Sequence, residues 1–172
     1  MNSKTTHRSR RVAHLLRHSS LPNRNGWVRA CVVQRELSIS AEELRQIVED
    51  DTKGRYEFSQ DEDFVRALYG HSINVDLGLL SSTPPTTLFH GTADKYISRI
   101  MVEGLQPRSR AFVHLSKTAA MAREVGARHG LPIVLAIDAE AMCRDGYKFY
   151  DTQRDVWLTD TVAPKYITIF NE

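Results

Sequence analysis

Two adjacent prolines, Pro84 and Pro85, preceded by Ser81, Ser82 and Thr83, constrain this chain more than any other feature. Two pyrrolidine rings in succession remove two backbone donors and resist both helix and ladder, so the segment reads as a linker with a domain boundary at it. Length agrees, because 172 residues exceed the commonest domain size and suit two lobes. The spacing predicts a basic tail over 1–9, a first lobe over 10–82 and a second over 86–172.

Charge is distributed as unevenly as the turns. The net charge is only +2, yet the first acidic residue is Glu36. Before it come Lys4, Arg8, Arg10, Arg11, Arg17, Arg24, Arg29 and Arg35, which make the N-terminal stretch electropositive. A basic tail alone is weak support for nucleic acid, and solvated disorder is expected up to about residue 9. No apolar run approaches the ~20 residues of a membrane span, and the N-terminus lacks the apolar core of a signal peptide, so a cytoplasmic protein without a membrane partner is expected. Cys31 and Cys143 fit no CxxC spacing, which suggests neither a zinc site nor a disulfide framework.

The two halves also differ in period. Val12, Leu15 and Leu16 predict a helix running to about Arg17, broken by Ser19, Ser20 and Pro22. Trp27, Val28, Val32, Val33 and Leu37 predict a second. A third is marked by a capping box, Ser40 with Glu43, ahead of Leu44, Ile47 and Val48. Strands are expected over 55–59 and 64–69, with a turn at Asp61 to Asp63. Three helices and a hairpin are the outline of a winged helix. Beyond the prolines, strands are expected over 87–89, 112–115, 133–137, 148–150, 156–159 and 166–170, and helices from Lys95 to a stop at Gly104 and from Lys117 to one at Gly126. The fold class expected is α+β.

A Walker loop, GxGxxG, HExxH and GxSxG are all absent, so triphosphate hydrolysis, dehydrogenation, zinc proteolysis and serine hydrolysis lose their usual support. What occurs instead is an ordered series: Arg17-His18, Lys53-Gly54-Arg55-Tyr56, Gly70-His71-Ser72, His90-Gly91-Thr92, Val113-His114-Leu115-Ser116, Val125 to Gly130, and Val156-Trp157-Leu158-Thr159. Val75-Asp76-Leu77, Asp145-Gly146-Tyr147 and Pro164-Lys165-Tyr166 add to it. This series resembles the RNA 2′-phosphotransferase family over roughly residues 12–168.

The resemblance implies an N-terminal winged-helix RNA-binding lobe joined to a C-terminal ADP-ribosyltransferase-like NAD-binding lobe. It implies that NAD⁺ is consumed, that no metal is needed, and that the substrate is RNA bearing an internal 2′-phosphate, of the tRNA splice-junction type. In the implied reaction the 2′-phosphate attacks the ribose carbon that carries nicotinamide, giving RNA-phospho-ADP-ribose; the ribose 2″-hydroxyl then attacks the phosphate, leaving 2′-OH RNA and ADP-ribose 1″,2″-cyclic phosphate. By motif match Arg17, His18, Arg55 and Arg128 are the catalytic set. Arg17, His18 and Arg55 would hold the RNA phosphate, and Arg128 would reach it from the NAD⁺ lobe. His90, Gly91, Thr92, His114, Ser116 and Val156 are the implied NAD⁺ residues, with Gly91 allowing close backbone approach. Arg110 either meets the pyrophosphate or is a surface arginine. Arginine suits a phosphate ligand because its planar fork binds the oxygens bidentately and keeps its proton.

Taken singly, each of these residues has a bland reading: an Arg-His pair at a helix end meets free carbonyls, and Arg55 and Arg128 are solvated. His7, His14 and His129 are expected as structural histidines, and sequence assigns His71 and Ser72 no role. Two other functions compete, ADP-ribosylation of terminal phosphates on nucleic acid and a non-catalytic RNA-binding module. A monomer is expected. The chain departs from the family pattern between His18 and Gly26, where the loop is shorter, and over residues 27–39.

Overall fold

Residues 3–18 contain neither proline nor glycine and form one uninterrupted helix, α1 (Ser3–His18). The structure, a computed structural model, describes residues 3–22, 24–73 and 75–171. Met1 and Asn2 of the expected tail lie outside the described residues, as do the side chains of Lys4 and Arg24. From Ser3 onward the solvated tail expected up to residue 9 is instead helix. Its anchor is polar: Ser9 is 2% exposed, its hydroxyl accepts from Arg55 at 2.9 Å, and its carbonyl accepts from the Tyr56 hydroxyl at 2.8 Å. Arg8 adds an ion pair with Glu43. Such contacts offset the backbone entropy that a free tail would keep.

The chain divides into two compact units, Met1–Gly78 and Leu79–Glu172. In the first, α1 is followed by β1 (Trp27–Arg29), α2 (Ala30–Leu37), α3 (Ala41–Glu49), β2 (Tyr56–Phe58) and β3 (Phe64–Ala67). The helix predicted from Trp27 starts only at Ala30. Trp27 to Arg29 pair instead with Phe64 to Arg66, a long-range choice that suits aromatic and β-branched residues and that local period cannot reveal. The capping box is present, with the Ser40 hydroxyl accepting from Glu43 N–H and Glu43 accepting from Ser40 N–H. The sheet order is β1-β3-β2, antiparallel. Val12, Leu16, Val33, Leu44 and Val65 are fully buried between helices and sheet.

The second unit contains β4 (Thr87–Ala93), α4 (Ile97–Glu103), β5 (Val113–Ser116), α5 (Ala119–Gly126), β6 (Pro132–Asp138), α6 (Ala139–Arg144), β7 (Phe149–Asp151), β8 (Val156–Thr159) and β9 (Ile167–Ile169). Sequence period missed α6, a six-residue helix capped by Asp138. Ser81 and Ser82 lie against β7: Ser82 donates to the Phe149 carbonyl at 2.8 Å, ahead of the prolines that have no donor to offer. One six-stranded antiparallel sheet results, ordered β7-β8-β5-β4-β6-β9, over a core that includes Leu88, Leu115, Leu135, Ile137, Met142 and Phe149. Among the described residues no helix is long and apolar enough to cross a membrane.

The central ladders of this sheet are unequal. β4 and β6 pair along seven positions, but β4 and β5 pair only at Phe89 and Ser116. The sheet therefore opens beside His90, in the middle of the strand that carries the His-Gly-Thr motif.

Candidate functional site

In the first unit, α1 ends by delivering Arg17 and His18 to one place. Past them, the Ser19 hydroxyl bonds back to the Leu15 carbonyl at 2.6 Å and the helix stops. The Arg17 carbonyl, one of the acceptors a helix end leaves over, takes the Ser72 N–H at 3.1 Å. The Ser72 hydroxyl lies 2.7 Å from His18 Nδ1 and so fixes the imidazole ring. The Arg17 guanidinium lies 5.1 Å from the Tyr69 ring centroid and alongside Gly70, where a Cβ would come within 3.2 Å of it. Gly70 also has φ 88°, a left-handed conformation that glycine adopts without strain.

Arg55 enters the same neighbourhood from the turn before β2. Its Nε donates to Asp51 Oδ1 at 2.8 Å, its Nη2 lies 2.7 Å from the same oxygen, and its backbone N–H donates to Oδ2. Nη2 also donates to Ser9, and the guanidinium stacks over Tyr56 at 5.1 Å. The Asp51 side chain is 1% exposed, so this carboxylate is spent on holding Arg55. Burial works most strongly against the Arg55 charge, but the Asp51 hydrogen bond and the charges of Tyr56, Asp51 and Tyr69 together outweigh it and hold the guanidinium above its ordinary value. Burial raises the hydroxyls of Tyr56 and Tyr69, and both feel the charges of Arg17 and Arg55. Behind them His71 is 2% exposed, with no hydrogen-bond partner at either ring nitrogen among the described groups. Burial, reinforced by the charges of Arg17, His18 and Arg66, pushes it down to about 4, so it is neutral at pH 7. The cluster thus offers two guanidinium groups and one fixed imidazole, a set suited to an anion with several oxygens.

The second unit gathers imidazole and hydroxyl groups where β4 and β5 part. His90 Nδ1 lies 3.0 Å from the His114 carbonyl, and since a carbonyl only accepts, Nδ1 carries the proton. Burial lowers the His90 pKa, and that hydrogen bond only partly restores it. His114 Nδ1 donates in the same way to the Phe112 carbonyl at 3.0 Å, and the exposed Arg110 lies 3.4 Å from its Nε2. Ser116 pairs with Phe89 on one side and Val156 on the other, which puts these three on one sheet face. Thr92 is 6% exposed.

Gly91 leaves no room for a side chain between strand and helix. A Cβ there would lie 1.6 Å from the Ala122 carbonyl oxygen, and one on Gly126 would lie 2.6 Å from that of Thr92. The missing side chain lets α5 rest directly on β4, and the Cβ direction is filled by protein. Arg128 follows α5 by one turn, its N–H on the Val125 carbonyl at 3.2 Å and its side chain exposed.

The structure therefore brings Arg17, His18 and Arg55 into one cluster, sets His90 on the His114 carbonyl with Arg110 beside the His114 ring, pairs Ser116 with Val156, and places Arg128 in the second unit. Among the described residues no group of three or more His, Cys, Asp or Glu could hold a metal ion. Sequence reading missed Asp51 and Ser9, and it placed Ser72 in a motif without a role. Asp51 sits four residues before Arg55, but inside an acidic run that reads as solvated; the Ser72–His18 and Ser9–Arg55 contacts span 54 and 46 residues and left no local signal.

Comparison with known proteins supplies a family. The family model described as "RNA 2'-phosphotransferase, Tpt1 / KptA family" matches residues 3–161. The chain is 42% identical to a "Probable RNA 2'-phosphotransferase" of Acaryochloris marina, with 92% of this chain and 93% of the relative covered. It is 38% identical to the protein of the same description from Hahella chejuensis, over 99% and 97% of the two chains. A third, from Nostoc punctiforme, is 45% identical over 83% and 81%.

Proposed function

This chain belongs to the RNA 2′-phosphotransferase family, and from that premise we propose that it removes an internal 2′-phosphate from RNA by transfer to NAD⁺. The proposed products are 2′-OH RNA, nicotinamide and ADP-ribose 1″,2″-cyclic phosphate, formed through RNA-phospho-ADP-ribose. In this reading the first unit is a winged-helix RNA lobe and the second an ADP-ribosyltransferase-like lobe. The three-stranded β1-β3-β2 sheet with its helices and the six-stranded antiparallel sheet are the features that support it.

The observation that carries the proposal is the Arg17, His18, Arg55 cluster with its dedicated holders. Arg17 and Arg55 bind and orient the oxygens of the 2′-phosphate, a nucleophile that is already anionic and needs no general base. Asp51 and Ser9 keep the Arg55 fork in one orientation, which saves the cost of ordering it at the moment of reaction. His18, its Nδ1 set by Ser72, gives the phosphoryl group a hydrogen bond or a proton. In the second step charge spreads over the phosphoryl oxygens, and Arg128 is proposed to stabilise it.

NAD⁺, when bound, supplies the ribose carbon that receives the phosphate. The residues present fit such a ligand. His90 and His114 each use Nδ1–H on a backbone carbonyl, Arg110 stands beside His114 with a permanent charge, and Ser116 and Val156 share a face. Gly91 serves this end by seating α5 on β4. A cytoplasmic monomer completes the proposal, in keeping with two free cysteines, Cys31 and Cys143.

The test is a product assay with purified protein, NAD⁺, a 2′-phosphorylated oligoribonucleotide and no added metal. Nicotinamide and the 1″,2″-cyclic phosphate are expected in equal amounts. Stable ADP-ribosylated RNA without cyclic phosphate, or no turnover, overturns the reading.

A further inference from the structure

Helix α1 is held on two sides. Ser9, Val12 and Leu16 are buried, and Arg8 is paired with Glu43. On the remaining side, the ~100° step of the α-helix aligns His7, Arg11, His14 and His18 in one stripe, with Arg10 at its margin. All five side chains are exposed, so His7 and His14 are surface rather than structural histidines. His14 and His18 are in ring contact, 5.3 Å between centroids. The helix, SKTTHRSRRVAHLLRH, contains no acidic residue.

This is not how a merely solvated helix face is built. Exposed faces ordinarily interleave opposite charges at i,i+3 and i,i+4, and like charges at that spacing cost helix stability. Arg45 shows the ordinary pattern in this chain, bridging Glu42 and Glu62. Among the described residues neither Arg10 nor Arg11 enters an ion pair or a side-chain hydrogen bond. Nitrogen-bearing groups thus recur every turn, about 5.4 Å apart, and the row ends at His18 and Arg17. That spacing is of the order of the separation between successive phosphodiesters in a polynucleotide strand.

We propose that this stripe is a track for the RNA backbone flanking the reacting 2′-phosphate. Arg10, Arg11 and His14 meet successive phosphodiesters on one side of the modified nucleotide while His18 meets the 2′-phosphate, an inference that rests on the function proposed above. Contacts of this kind position a strand without reading its bases, so the track is indifferent to sequence and sensitive to salt.

The full chain carrying Arg10→Glu and Arg11→Glu is compared with wild type and with a charge-matched control, Arg35→Glu with Arg99→Glu, on exposed positions of α2 and α4. Binding is measured across a salt series with two probes: an oligoribonucleotide with several nucleotides on each side of one internal 2′-phosphate, and a 2′-phosphorylated dinucleotide. The Arg10/Arg11 variant is expected to bind the long probe about tenfold more weakly than the control, with the salt slope reduced by about 0.7 for each phosphate no longer neutralised. The dinucleotide is expected to lose much less. Arg10→Gln with Arg11→Gln, which deletes charge without reversing it, gives a smaller loss of the same pattern, and thermal melting of every variant separates misfolding from weakened binding. Equal losses in the variant and its control, or equal losses on long and short probes, overturn the track. If wild type binds the long probe through the stripe yet fails to turn it over with NAD⁺, the enzymatic reading falls and the track stands.

Discussion

Arg55 in the first unit is held by another side chain, Asp51, whereas His90 in the second is held by a backbone carbonyl, that of His114. The same contrast runs through both clusters: Ser72 fixes His18 and Ser9 assists Arg55, while the Phe112 carbonyl fixes His114. A guanidinium half-buried beside a carboxylate stays charged, and a buried imidazole donating to a carbonyl stays neutral. One unit thus depends on replaceable side chains, and the other depends on where its strands run.

The most damaging single change is therefore expected in the second unit. Gly91→Ala pushes a Cβ into the Ala122 carbonyl at 1.6 Å, where α5 backbone must move. A loss of about 3 kcal/mol or more is expected in denaturant unfolding, and wild-type stability would show that α5 does not need this close approach.

Next in size are the arginines. Arg55→Lys keeps the charge and loses the fork that reaches Asp51 and Ser9; kcat/KM is expected to fall roughly 10²- to 10³-fold with the fold intact. Near-normal turnover would mean that charge alone suffices. Arg128→Ala, in the other unit, is expected to slow the second step roughly 10²-fold, seen as RNA-linked ADP-ribose that wild type does not accumulate. An equal slowing of nicotinamide release would move Arg128 to the first step.

His71 gives the first unit a pH dependence of the same sign as that of buried His90 in the second, whose fall is partly offset by its hydrogen bond to the His114 carbonyl. Burial keeps its folded-state pKa at about 4, below the 6.5 of the unfolded chain. Between these values the unfolded chain binds a proton that the folded chain does not, so stability present above pH 6.5 is lost as pH falls toward 4. The loss is of the order of 2–3 kcal/mol, read as a falling denaturation midpoint. His71→Leu should flatten that stretch, and an unchanged slope would assign it to other groups.

The smallest effect is expected at Ser72, an exposed partner. Ser72→Ala should lower kcat/KM about two- to tenfold, the worth of one hydrogen bond, and Ser72→Thr should restore it. No such deletion exists for His90, whose partner is backbone.

Local chemistry was legible in the sequence. The Ser40–Glu43 box named the start of α3, and the strands expected over 112–115 and 156–159 fall on β5 and β8 to within a residue, because capping and strand preference act over a few residues. The motif order also carried the family and the candidate residues, from Arg17 to Val156. Where long-range pairing competes with local period, sequence misled: Trp27 to Arg29 read as helix until β3 offered them a ladder, and the basic tail read as disordered until Ser9 found Arg55 and Tyr56. Only the tertiary structure decided that Asp51 and Ser72 are the holders of Arg55 and His18, that β4 parts from β5 beside His90, and that Gly91 exists for α5. Each of these is an interaction whose free energy depends on what burial and pairing bring opposite a residue, and no window of sequence contains both sides of it.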